Sequence, residues 1–103
     1  MKDFKIVWSA RSECGPSRKK NEDTIFPPIS GSSKSPFKAA VCDGLGGHVD
    51  GDVASKIAAD TLLKEITDLN QIITEANNNI LEYQEKNPSS LGMGTTMTAI
   101  SID

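Results

Sequence analysis

From Phe4 to Ala10 the chain alternates, with Phe4, Ile6, Trp8 and Ala10 set against Lys5, Val7 and Ser9. A period of two is the pattern of a half-buried strand. "CGPSRKKNED", residues 14–23, then brings Gly, Pro and Ser followed by a run of charge, the composition of a loop at a strand edge. "DTIFPPI" is β-branched and aromatic until Pro27 and Pro28 end it, which predicts a second strand. "SGSSKS" reads as a flexible, hairpin-like connection into a third strand, "FKAAVCD". The second and third strands are thereby expected to be neighbours.

From Asp52 the period changes. Ala54, Ile57, Ala58, Thr61, Leu62 and Ile66 fall at helical spacing, with Lys56, Asp60, Lys64 and Glu65 mostly on other faces. A second stripe, Leu69, Ile72, Ile73, Ala76, Ile80 and Tyr83, runs from about Asp68 to the breaker Asn87-Pro88. Two amphipathic helices joined by so short a link are expected to pack as an antiparallel pair. After "SSLGMG", the stretch "TTMTAISID" is rich in Thr and Ile and predicts a final strand.

The order is three strands, two helices and one strand, without the strand-helix alternation of a parallel sheet. An α+β layered fold follows, in one domain over residues 1–103 and without internal repeats. Four strands and one helix pair make a thin two-layer structure, so one face of the sheet is expected to lie open.

Composition narrows the function classes. With 37% hydrophobic and 24% charged residues, the chain has the make-up of a soluble globular protein. A formal charge of −3 gives no reason to expect nucleic acid as a partner. No run approaches the ~18 apolar residues of a membrane span, and "MKDFKIVWSA" is too short in apolar residues for a signal peptide. Cys14 and Cys42 are too far apart for a CxxC pair, and Cys42 lies in an apolar run as a small hydrophobe. A cytoplasmic, reducing setting without membrane contact is the expectation.

Acidic residues concentrate at two places: Glu22 and Asp23 at the start of the second strand, and Asp43 at the end of the third. On adjacent strands these carboxylates can converge on one sheet edge, where they repel unless a cation neutralises them. Oxygen donors without a His or Cys cluster favour Mg²⁺ or Mn²⁺ over zinc. Gly44 can add a backbone carbonyl, since no side chain blocks the approach. Arg18 and the lysines at 19 and 20 precede the acidic pair on the same loop, and a planar guanidinium suits a phosphate held by two parallel hydrogen bonds. The residues together describe a metal-assisted phosphoester hydrolase.

Plainer readings stand beside this one. Basic and acidic residues in a loop also make a solvated charged turn, and "DGLGG" also makes a strand-to-helix turn. A phosphate-cradling GxGxxG fails because Val49 stands where its third glycine is due. An EF-hand fails because Asp43, Asp50 and Asp52 are wrongly spaced. His48 is near enough to be an acid or ligand, but a single loop histidine is more often plain surface. Thr95 and Thr96 read as strand residues.

Taken in order, "SRKKNED", "AVCDGLGGHVDGDVAS" and "GMGTTMTAI" resemble the opening motifs of the metal-dependent protein phosphatases, the type 2C serine/threonine phosphatases of the bacterial stand-alone kind. The resemblance implies the N-terminal part of a four-layer α-β-β-α sandwich. It also implies two Mn²⁺ or Mg²⁺ ions that share a water attacking a phosphoserine or phosphothreonine ester of a protein substrate. Carried over by position, Asp43 resembles the metal-bridging aspartate and Gly44 the glycine whose carbonyl binds one ion. Glu22 and Asp23 align with the acidic pair that holds metal directly or through water, and Arg18 with the phosphate-binding arginine. Gly94, Thr95 and Thr96 resemble a strand start whose part is structural. Leu45 stands where some members carry a histidine general acid, and His48 gains no catalytic role from its "DGxGGH" setting. The chain stops at Asp103, before the family's later motifs and their aspartates. It therefore reads as a fragment with little or no activity alone, prone to self-association through exposed sheet surface. The alternative is a non-catalytic remnant or binding module of the same fold that pairs with another chain.

Overall fold

The computed structural model describes residues 4–45 and 49–103. Five strands and two helices follow one another as β1 (Ile6–Trp8), β2 (Asp23–Phe26), β3 (Gly31–Ser33), β4 (Phe37–Asp43), α1 (Gly51–Asp60), α2 (Leu69–Lys86) and β5 (Thr98–Ile102). β2, β4 and β5 form an antiparallel sheet in the order β2-β4-β5, with β4 in the centre. β1 and β3 form a separate antiparallel pair. The α+β class and the adjacency of β2 and β4 are as the sequence pattern predicts.

β3 corrects one expectation. "SGSSKS" is not only a connection: Gly31, Ser32 and Ser33 pair with Trp8, Val7 and Ile6. Glycine and serine carry little strand preference of their own, so this strand exists because β1 offers it a partner. Gly31 is required there, since a Cβ would lie 2.9 Å from the Trp8 ring. The ring is fixed further by its Nε1, which donates to the Ile29 carbonyl at 2.8 Å, and by Phe37, whose centroid is 4.8 Å away.

The first helix is also shorter than the stripe ending at Ile66 suggests. α1 stops at Asp60 and tightens into a 3-10 turn at Thr61–Leu63, after which Lys64 is extended. Thr61 is buried and its hydroxyl donates to the Ile57 carbonyl at 3.1 Å. Lys38, reaching over from β4, donates to the carbonyls of Lys64 and Ile66 and satisfies the chain where it leaves the turn. Ile66 still packs on the core, but from a non-helical segment. α2 begins and ends where the pattern places it. The Asp68 side chain caps it by accepting from the amides of Asn70 and Gln71, and Asn87-Pro88 closes it.

The core lies between the helices and one face of the β2-β4-β5 sheet. Ala40 and Cys42 of β4 meet Ala58, Ala59 and Leu62 of the first helical segment and Ile72 and Ala76 of α2. Thr24 on β2 hydrogen-bonds the buried Ser55 of α1 at 2.9 Å, which pins the sheet edge to the helix. The other face carries Ile25, Val41 and Ile100, and Val41 and Ile100 are each 52% exposed. The molecule is a slab with extents of 48 × 33 × 15 Å, and its thinness follows from this one-sided cover.

Candidate metal centre

The sheet register builds the centre. Asp23, the first residue of β2, lies directly opposite Asp43, the last of β4. Opposed residues of an antiparallel pair share a face, with Cβ atoms about 4.5–5.5 Å apart. Burial first, then the hydrogen bond and charge of the Asp43 carboxyl, hold Asp23 above its ordinary value, against the pull of Arg18. Such a pair calls for a proton or a cation between its members.

Asp43 is held from its backbone. Its carbonyl accepts from the Thr96 amide at 2.9 Å, and its amide donates to the Thr96 hydroxyl at 3.3 Å. Gly44 continues the pairing past the strand end, bridging Thr95 on one side and donating to the Glu22 carbonyl at 3.0 Å on the other. A side chain at Gly44 would collide with the Gly51 carbonyl and lie 2.7 Å from the Glu22 carbonyl. Glycine here is the condition for α1 to start against the sheet edge.

Glu22 goes elsewhere. Successive residues of an extended chain point to opposite sides, so Asp23 faces Asp43 while the Glu22 carboxylate lies against Gly51 in the first turn of α1. Its side chain is 15% exposed, and the Arg18 guanidinium approaches it at 4.0 Å. Arg18 itself is exposed on the loop before β2, where its amide donates to the Gly15 carbonyl at 3.0 Å. Arg18, Glu22, Asp23 and Asp43 line one cleft of about 210 Å³, together with Glu13, Gly15, Lys20 and Asn21.

Among the described residues, no three His, Cys, Asp or Glu side chains form a group that could hold an ion. The Asp23–Asp43 pair fits a hard divalent cation as two of its ligands, because both donors are carboxylate oxygens and their mutual repulsion is what such an ion relieves. Of the residues singled out by sequence, Asp23 and Asp43 come together, Arg18 lies on the same cleft, and Glu22 is turned toward α1. His48 lies outside the described residues. The residue pattern does not mark Thr96 or Gly51 as site residues. Gly51 belonged to a visible glycine cluster, whereas the part of Thr96 appears only once β5 is placed beside β4.

In sequence and overall fold the chain is similar to known proteins. The chain is 33% identical over 104 residues to the serine/threonine protein phosphatase PstP of Mycobacterium tuberculosis, covering 92% of this chain and 19% of that protein. It is 36% identical to the serine/threonine phosphatase stp of Listeria innocua, covering 86% of this chain and 40% of that one. The solved catalytic domain of PstP in complex with two manganese ions superposes with a TM-score of 0.74 at 32% identity, over 97% of this chain and 45% of that one. This chain is similar in sequence and fold to bacterial serine/threonine phosphatases. It spans from about a fifth to two fifths of the relatives' length, and about two fifths of the solved chains. No family model matches it. The mixed α+β architecture of two antiparallel sheets and a helix pair is that of the phosphatase domains it superposes on.

Proposed function

We propose that this chain contributes part of the active site of a metal-dependent protein serine/threonine phosphatase, and the Asp23–Asp43 pair beside Arg18 is the observation that carries the reading. The manganese in the solved PstP domain supports Mn²⁺, with Mg²⁺ a chemically equivalent hard ion. When bound, such ions polarise a phosphoryl oxygen and acidify a water to near neutrality. Asp43 and Asp23 hold the metal through their carboxylates, Gly44 offers its carbonyl, and Glu22 contributes from the α1 side of the cleft. Arg18 grips phosphoryl oxygens with paired N–H donors and orients the phosphorus. Thr96 keeps the Asp43 backbone fixed, so its carboxylate is presented without prior rearrangement.

The substrate is a phosphoserine or phosphothreonine of another protein. The relatives' activity and the shallow, polar, open cleft both support this, since a projecting side chain can enter it where a buried small molecule would find few apolar walls. Residues 1–103 form one unit of the catalytic domain, and turnover by this unit alone is low because, among the described residues, no three acidic, His or Cys side chains converge into a group that could hold an ion. The free thiols of Cys14 and Cys42 favour a cytoplasmic setting, and no helix among the described residues is long and apolar enough to cross a membrane. A second reading, a non-catalytic module that pairs with another chain, draws on the exposed Val41 and Ile100 face, which also favours self-association.

The deciding experiment is hydrolysis of p-nitrophenyl phosphate and of a phosphothreonine peptide, with Mn²⁺, by the gene product that carries these residues. Loss of metal assistance is worth several kcal/mol, so Asp43→Asn is expected to lower turnover by about 10²-fold or more, as chelation does. Metal-independent turnover, or none with Asp43 intact, contradicts the phosphatase reading.

A further inference from the structure

Asp50, at the N-cap of α1, is the one non-glycine residue among those described with a positive φ, at 52° with ψ 40°. A left-handed conformation is costly for a residue with a Cβ, and Asp tolerates it when its short side chain finds a local partner. Its side chain does not cap the helix. Instead its Oδ2 accepts from the hydroxyl of Ser90 at 2.5 Å, forty residues away in the turn at Pro88–Ser90 that follows α2. Ser90 is 2% exposed, so water cannot readily replace the bond.

The strained residue sits where its geometry matters. Asp50 is followed by Gly51, and the Asp50 carbonyl accepts from the Ala54 amide at 2.9 Å to close the first turn of α1. Around Gly51 there is no slack: a Cβ would strike the Glu22 carboxylate and lie 2.9 Å from the Leu45 carbonyl. The Gly51 carbonyl in turn crowds Gly44. Any change in the Asp50 backbone therefore moves Gly51 against Glu22 and Gly44, both residues of the proposed centre. Leu45 donates to the Gly94 carbonyl at 2.9 Å, so the segment after α2 holds the chain at Leu45 as well as at Asp50.

We propose that Ser90 is a positioning residue for the metal centre: its hydrogen bond to Asp50 locks the left-handed turn that seats Gly51 against Glu22 and Gly44. This rests on the metal-dependent reading above. Ser90 touches neither metal nor substrate. It acts only through the Asp50 backbone, and that indirectness sets the test.

Two readouts are needed on wild type, S90A, D50G and the double variant. The first is amide hydrogen exchange at Gly44 and Ala54 without metal, and the second is Mn²⁺ affinity by titration calorimetry. S90A is expected to speed exchange at both amides and to weaken Mn²⁺ binding roughly 10-fold, the scale seen for outer-shell partners of metal ligands. D50G is expected to stay within about twofold of wild type, because glycine holds a positive φ without a latch. In the D50G background S90A should add nothing. If S90A fails to fold, D50A against D50N replaces it: Asn keeps both the acceptor and the left-handed tolerance, so only D50A should lose affinity. Equal Mn²⁺ affinity in wild type and S90A, or an undiminished S90A effect in the D50G background, overturns the latch. Absence of Mn²⁺ binding by the wild type strikes the metal-dependent reading itself, whereas the exchange data still report on the latch.

Discussion

The two faces of the β2-β4-β5 sheet are made by alternate residues of the same strands, and they have opposite fates. On one face Ala40 and Cys42 are sealed under the helices, with Ile72 fully buried above them. On the other, Val41 and Ile100 stand half in water and Asp43 meets Asp23 at the strand ends. The period of two in β4 thus separates cohesion from chemistry with no extra structure. The helix face supplies the stability that lets two like charges be held together on the far side.

The largest test of that division is Ile72→Ala. Its buried side chain predicts a loss of about 2–5 kcal/mol, against less than about 0.5 kcal/mol for Val41→Thr or Ile100→Thr in the dilute chain. Chemical denaturation measures all three. Sedimentation should show the opposite order, with the two threonine variants suppressing self-association that Ile72→Ala leaves in place. Equal stability losses on the two faces would break the comparison.

Asp43→Asn comes next and runs against intuition. The folded state holds the Asp23 proton more tightly than the unfolded chain, so metal-free stability is greatest below the ordinary carboxylate value near 3.8 and falls as pH rises through the raised one. Burial, the largest cause, stays in the variant, but removing the neighbouring charge lifts the part of this penalty that Asp43 imposes. The variant should melt higher than wild type at pH 7 without metal, by the roughly 0.2–1 kcal/mol of a cross-strand like-charge pair, or about 1–8 °C. A lower melting point would mean that the carboxylates support the fold instead of loading it.

Cysteine labelling sharpens the contrast further. Burial pushes the Cys42 thiol up to about 11, so at pH 8 a disulfide reagent should modify the exposed Cys14 and spare Cys42 until the chain unfolds. The smallest effect belongs to the exposed Lys20–Asp52 pair at 3.2 Å, which ties the cleft loop to α1. Burial works against ionisation of Asp52, yet its hydrogen bond and charge pairing with Lys20 hold it below the ordinary value. Its contribution is present above about 3.8 and lost as pH falls through the lower folded value, and Lys20→Ala should remove about 0.2–1 kcal/mol of it.

Much of this was legible in the residue pattern because it depends on local periodicity. Both helices, β2, β4 and β5 carry their own spacing, and the Asp23–Asp43 convergence needs only that β2 and β4 be neighbours. β3 was not legible, because Gly31, Ser32 and Ser33 become a strand through Trp8 and its partners. Nor was the division between Glu22 and Asp23, which depends on the side to which each residue of the strand start points. Thr96 and Ser90 act across 53 and 40 residues of sequence, and no spacing rule reports bonds of that range.

The central claim, that Asp23 and Asp43 form a hard-cation site, is tested most directly by Mn²⁺ titration of the purified chain followed by calorimetry and by thermal melting. Wild type should bind weakly but measurably, and Mn²⁺ should raise its melting point as it relieves the carboxylate pair. Asp23→Asn and Asp43→Asn should each abolish both effects. Binding of Mn²⁺ that survives unchanged in both variants would contradict the site.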